Sequence, residues 1–294
     1  LILMAAASLW ASHSISSALQ ARERAAAYAS ASTELMNHWW RQNALRQQIT
    51  PDLQQAFNEG LGDLQELVGQ LLTQAQALED DATVQHAQQI QTVLLEELAQ
   101  QRQWLNLNQA LGLTPFEGQR KALSEKGKAL EAISFDLIKP FIAGSLSSQR
   151  DYLSTFDPAF AQMTLTAIGK LQEQITDLEW QDTPIGKNVQ GYAQAFADAN
   201  GSIERINATN QRLRQLGEQL QTRIDEQAQA LQSGLLLRRT QEAEQARLSA
   251  LWMMGLSFLA VATLLCFTLL QASRTLVSRL RNVIQLLSQV ASGD

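Results

Sequence analysis

The sequence predicts an all-α protein: two stacked four-helix-bundle modules sharing two long helices, flanked by two transmembrane helices. Three observations carry this. Ala, Gln and Leu dominate a chain with only 15 Gly, 5 Pro and 6% aromatic residues, which favours long helices over sheets. Four prolines sit in helix-start pairs: Thr50-Pro51, Thr114-Pro115, Asp157-Pro158 and Thr183-Pro184. Finally, Ser249–Leu270 holds no charged residue. Its roughly 22 residues, rising about 1.5 Å each, suffice to cross a bilayer core.

Arg274, Arg279 and Arg281 follow that stretch, with no acidic residue before Asp294. The positive-inside rule makes their side cytoplasmic and the preceding segment external. The chain starts at Leu1 and stops at Asp294 in mid-pattern, which reads as a fragment lacking both ends. Residues 1–21 read as a first transmembrane helix missing its cytoplasmic start, in preference to a cleavable signal peptide. The expected organisation is therefore a sensor-sized external segment over 22–248, a second span over 249–270, and a cytoplasmic continuation over 271–294. On this reading the expected protein is a multi-pass one of a bacterial inner membrane with a periplasmic domain. The single cysteine, Cys266, lies in the second span, so helix packing alone holds the external part.

Taken in order, the external segment begins with a helical pattern from Arg22 to about Gln48. Pro51 opens a second helix whose apolar residues Leu53, Phe57, Leu61, Leu64, Val68, Leu71 and Leu72 recur at spacings of three and four. Glu79-Asp80-Asp81 places acidic groups at the next helix start, and Val84–Leu111 follows, interrupted at Gly112. Thr114-Pro115-Phe116-Glu117 has the form of a capping box, and its helix is expected to run towards Phe156 with a kink at Pro140 and Gly144. After Thr183-Pro184 no proline remains. A soft spot at Asn200-Gly201 marks the expected start of a last helix running unbroken into the second span.

The stretch from Thr50 to Leu71 aligns without a gap on Asp157 to Leu178. Pro51 falls on Pro158, Gly62 on Gly169, Leu64-Gln65-Glu66 on Leu171-Gln172-Glu173, and Leu71 on Leu178. The repeat implies two similar modules, a membrane-proximal one over about 22–111 plus the end of the last helix, and a distal one over about 114–215. With both ends at the membrane, the external chain must make an even number of passes. Six are expected, including a long ascent from Thr83 to Phe156 and a return up to about Asn200.

No catalytic constellation is apparent: His13, His38 and His86 are scattered, and no second cysteine or phosphate-binding glycine loop exists. The chain is read as a non-enzyme without cofactor or metal. A net charge of −6 argues against a nucleic-acid partner. The remaining polar signals suit a small anion bound between helices. Arg41 and Arg46 lie beside Trp39 and Trp40; a guanidinium holds a carboxylate bidentately and an aromatic neighbour limits water. Arg150 with Tyr152 is the second candidate pair. Arg212, with Arg205, Arg214 and Arg223, supplies further cations on the last external helix.

The amphipathic run from Ser273 through Val283, Leu286, Leu287 and Val290 to Gly293-Asp294 resembles the first helix of a HAMP linker, although the proline usual in that family is missing. The external segment carries Leu111-Gly112-Leu113…Gly118, Lys128-Ala129-Leu130-Glu131 and Gln149-Arg150-Asp151-Tyr152-Leu153…Asp157-Pro158. It resembles the helical bimodular sensor domain of bacterial methyl-accepting chemotaxis proteins. That resemblance implies a homodimer that binds small organic acids. It would signal through its second span and HAMP segment to the cytoplasmic adaptor and kinase of the chemotaxis pathway. Where the family often has adjacent arginines this chain has Ser148-Gln149, so the ligand class stays open. Other readings of the same residues are the sensor of a histidine kinase or cyclase, one that reads a periplasmic binding protein, and a structural envelope coiled coil without ligand.

Overall fold

The structure is a computed structural model that describes residues 2–231 and 236–291. Regular structure in the described residues is helical throughout: α1 Ile2–Gln47, α2 Gln54–Gln76 preceded by a 3-10 turn Pro51–Leu53, α3 Asp81–Leu111, α4 Gly118–Glu131, α5 Lys139–Thr155, α6 Pro158–Asp177, α7 Pro184–Ala230 and α8 Leu236–Ala291. The chain divides into two compact units, Ser30–Gln227 and a second made of Leu1–Ala29 with Ala228–Asp294.

In the second unit, Arg247–Ser273 is a 27-residue stretch of α8 with mean hydropathy 2.2 and no buried part, long and apolar enough to cross a membrane. Trp252, Leu256, Phe258, Leu259 and Phe267 all stand exposed on it. It is the one such stretch among the described residues. The expected first span, 1–21, lies at the start of α1, and the side chains of its first residues fall outside the described set. The same holds for the side chains of the HAMP-like segment beyond Ser273, whose backbone is helical to Ala291 without a break after the span. The expected continuity of the last external helix with the span falls on 232–235, outside the described residues.

The unit Ser30–Gln227 is built from apolar stripes at helical spacing. On α2 the buried residues are Phe57, Leu61, Leu64, Val68, Leu71 and Ala75; on α6 they are Ala161, Thr164, Ile168, Leu171 and Ile175. Shifted by the repeat, Leu61, Leu64 and Val68 coincide with Ile168, Leu171 and Ile175, so the repeat is one of burial as well as of sequence. It also reaches upstream of the proline: Leu35 and Gln42 on α1 correspond to Ile142 and Gln149 on α5, and all four are buried.

Two groups of side-chain contacts follow. In one, Trp39 and Gln42 of α1 bond to Glu97 of α3 and the Phe57 carbonyl of α2, while Gly217 of α7 backs onto the Trp39 ring. In the other, Gln149 and Tyr152 of α5 accept from Tyr192 and donate to Asn200 of α7, and Thr164 of α6 donates to Ser148 of α5. Gly127 of α4 faces Leu146 and Tyr192 in this second group. The long helix α7 takes part in both.

Helix boundaries correct the expectations at several points. Asp157 caps α6 by accepting from the Ala159 amide at 2.9 Å, and Thr183 Oγ1 accepts from the Gly186 amide at 3.2 Å, as the helix-start pairs require. The capping box at Thr114–Glu117 does not form: those residues make a turn, and α4 starts at Gly118 with no side-chain cap. The helix from there does not reach Phe156 with a kink at Pro140. It ends at Glu131, and α5 begins at Lys139 with Pro140 in its first turn, where the missing amide costs nothing. Asn200-Gly201 does not start a helix either; α7 passes through it unbroken, because Ala199, Ser202 and Ile203 are all buried and packing outweighs the local propensity.

Contacts along α7 set the pass directions. On α3, Val93 shares a cleft wall with Gln219 and Trp104 with Asn207, so rising numbers meet falling ones on α7. On α4, Arg120 lies over Phe156 and Gly127 faces Leu146, so α4 runs opposite to α5, itself parallel to α7. Both helices therefore run antiparallel to α7, and the break at Gly112 is a jog rather than a reversal. Gly112 has φ +104, and a Cβ there would come 2.2 Å from the Glu117 carbonyl oxygen, so the jog needs glycine. On α5, Gln149 meets Tyr192 and Tyr152 meets Asn200, so α5 runs parallel to α7. The chain therefore reverses at 132–138 as well as at the expected Phe156, the reversal expected near Asn200 is absent, and six passes result with a different partition.

Candidate functional site

Helical spacing brings a set of polar side chains together. On α7, Asn207, Asn210, Gln211 and Arg214 stand at i, i+3, i+4 and i+7, one face of the helix. On α3, Glu97, Gln101 and Trp104 share a face in the same way, and α1 presents Trp39, Gln42 and Arg46. A cleft of about 670 Å³ opens where these faces converge. Its wall includes Arg46 and Gln47 from the end of α1, Trp104 from α3, Pro158 at the start of α6, and the four α7 residues. It lies where the two groups of contacts meet, and no acidic side chain lines it.

Arg46 is held by two contacts. Its Nη1 donates to Asn210 Oδ1 at 3.2 Å, and its guanidinium carbon stands 5.9 Å from the centre of the Trp104 ring, a cation–π contact worth about 0.5–1 kcal/mol. Its Nε is buried without a hydrogen-bond partner. Burial lowers its pKa; the Glu97 carboxylate opposes that shift and the nearby Arg214 charge adds to it. The guanidinium remains cationic all the same. Two like charges therefore face one cleft, and among the described residues Arg214 has no ion-pair partner.

Behind Arg46 lies Glu97, 1% exposed. Both of its oxygens accept from Trp39 Nε1, at 2.9 and 2.8 Å, and Oε1 also accepts from Gln101 Nε2 at 3.0 Å. Burial raises its pKa, offset in part by the bonds from Trp39 and Gln101 and by the Arg46 charge. The repeat shows how specific this arrangement is. Trp39 and Arg46 correspond to Leu146 and Leu153; on α3 and α7, aligning the buried positions pairs Leu94 with Phe196, and so Glu97 with Ala199 and Trp104 with Ile206. Every aromatic or charged residue of the first group's site is aliphatic in the second.

Of the candidate site residues named from the sequence, Arg46 and Arg214 line the cleft. Trp39 is buried beneath it on Glu97, and Trp40 is 52% exposed, edge-on to Trp39 at 4.6 Å. Arg41 and Arg150 are exposed. Tyr152 is buried, donates to Asn200 Oδ1 at 2.7 Å, and has its phenol pushed up to about 12 by burial and by Glu204. Arg212, half-exposed, is occupied by Glu96. Asn207, Asn210 and Gln211 were not anticipated, since a polar stripe on a helix reads as a solvated face. Arg214 counted only as one of several cations on its helix. The four-residue spacing was visible, but not which helices face it.

Among the described residues no group of His, Cys, Asp or Glu is placed to hold a metal. The fold and site define an all-α protein with, among the described residues, one helix fit to cross a membrane and a cleft lined by two arginines and no acidic side chain. No protein-family model, curated protein or solved structure matches the chain.

Proposed function

We propose that this chain is the sensing part of a bacterial transmembrane chemoreceptor whose cleft between α1, α3, α6 and α7 binds a small organic anion. The observation that carries the ligand reading is the pairing of Arg46 and Arg214 in one cleft without an acid. An anion entering between them removes their repulsion and gains charge-assisted hydrogen bonds. An amine gains neither, because no lining group is negative. In this reading the two contact groups are two stacked four-helix modules, and the ligand sits where they meet.

The membrane-crossing helix and the HAMP-like residues after it support the signalling half of the proposal. An anion bridging α1 and α7 favours one spacing of those helices, and the shift, of about 1–2 Å in comparable switches, passes to α8 and the cytoplasmic side. The ligand supplies only its differential affinity for the two states, about 1–3 kcal/mol. The receptor is expected to work as a homodimer in the inner membrane, coupled to the adaptor and kinase of a chemotaxis pathway. Titration calorimetry of the chain in detergent against a panel of small carboxylates and amines tests the binding step. Saturable binding of carboxylates but not amines is expected. Binding that survives replacement of both Arg46 and Arg214 by Ala refutes the site.

A further inference from the structure

We infer that the cleft selects carboxylates bearing a hydroxyl group close to the acid, a conclusion that rests on the cleft being the anion site. Two asparagines three residues apart on α7 carry it. Neighbours at this spacing have Cβ atoms about 5–6 Å apart. Asn207 Nδ2 donates to the Phe156 carbonyl oxygen at 3.2 Å, and a carbonyl only accepts, so this amide cannot be turned round. Asn210 Oδ1 accepts from Arg46 Nη1 at 3.2 Å, and a guanidinium only donates, so this amide is fixed in the opposite sense. Both residues line the cleft. What they leave for a ligand is therefore set: a carbonyl acceptor from Asn207 and an N–H donor from Asn210.

The donor of Asn210 joins Arg46 and Arg214 in holding the carboxylate. One helical turn away the ligand meets Asn207 Oδ1, which calls for a hydrogen-bond donor. A second carboxylate there would face lone pairs, and a methylene would cover the oxygen without bonding it. An ammonium would donate, but Arg46 and Arg214 repel it and no acid lines the cleft to neutralise it. A neutral hydroxyl satisfies every condition. Gln47 and Gln211 add no preference, because among the described residues no hydrogen bond fixes the sense of their amides.

Calorimetry on the full chain in detergent, at constant ionic strength, tests this with pairs that differ by hydroxyl groups alone: lactate against propionate, and tartrate against succinate. Alanine serves as the ammonium control. The hydroxy member of each pair is expected to bind about tenfold tighter, the cost of leaving a covered acceptor unpaired, and alanine more weakly than lactate. Asn207→Leu should bring the members of each pair to equal affinity while carboxylate binding persists, a change of selectivity that lost packing at Phe156 does not produce. Equal affinity within the pairs for the unmodified protein overturns the hydroxyl inference and leaves the anion site standing. Binding of none of the four acids overturns the cleft reading itself. Both of these outcomes are measured on the unmodified protein, so they decide the matter even if the variant does not fold.

Discussion

The indole Nε1 of Trp39 donates to both carboxylate oxygens of Glu97, joining α1 to α3 through a bond that has no counterpart in the repeat. Leu146 and Ala199 occupy the corresponding places, so a polar clamp in one half of the unit is a plain apolar contact in the other. The clamp buries a carboxyl group, and its consequences are measurable.

Glu97 binds its proton more tightly in the folded protein than in the unfolded chain, because burial raises its pKa above the ordinary 4.5. Above that ordinary value the unfolded chain loses the proton first, so stability falls as pH rises through the window up to the folded pKa. Glu97→Gln removes this dependence. The melting temperature of the variant relative to wild type should therefore climb as pH is raised from about 4.5. An offset that stays constant with pH refutes the shift.

Arg214→Ala separates binding from stability. Arg214 is exposed and unpaired among the described residues, so its loss should alter the unliganded stability by no more than about 0.5 kcal/mol. A carboxylate at a hundred times its Kd should stabilise wild type by about 2.7 kcal/mol, and the variant by almost nothing at the same concentration. Thermal melts with and without ligand measure both.

Gly112→Ala tests the jog between α3 and α4. With φ +104 and the Glu117 oxygen 2.2 Å from the new Cβ, the substitution should cost about 1–3 kcal/mol in urea denaturation. Gly62→Ala, where a Cβ meets nothing within 4 Å, should be neutral or stabilising.

Leu64 and Leu171 are repeat partners, each fully buried. Truncation of either to Ala should cost about 2–5 kcal/mol, and the two losses should be alike if the repeat is one of packing. A loss confined to one of them would reduce the repeat to a likeness of composition.

Insertion of Gly-Pro beside Gln241 breaks α8 ahead of its apolar stretch. A fluorophore on Cys266, exposed on that helix, should respond to a bound carboxylate in the wild type and not in the insertion variant, while calorimetric affinity is unchanged. An undiminished response would reject transmission through α8.

Much of the fold was legible because it depends on local rules. Prolines after Thr or Asp marked where α6 and α7 begin, and the stripe from Phe57 to Leu71 predicted the buried face of α2. The errors arose where local and tertiary preferences conflict. Thr114–Glu117 has the letters of a capping box but is spent on the turn after Gly112, and Asn200-Gly201 has weak helix propensity but sits on a buried face.

By itself, then, the sequence determined that the chain is helical, that it repeats, that one stretch can cross a membrane, and that arginines cluster near Trp39. Periodicity and composition act within one helix, and these features need nothing more. Only the tertiary structure decided that Arg46 shares its cleft with Arg214, far away in the chain, and not with Arg41 or Arg150. It also decided which half of each asparagine amide is left open, because Phe156, in the link between α5 and α6, and Arg46 of α1 take the other halves. A helical stripe shows which residues share a face; what that face meets depends on the packing of the other helices.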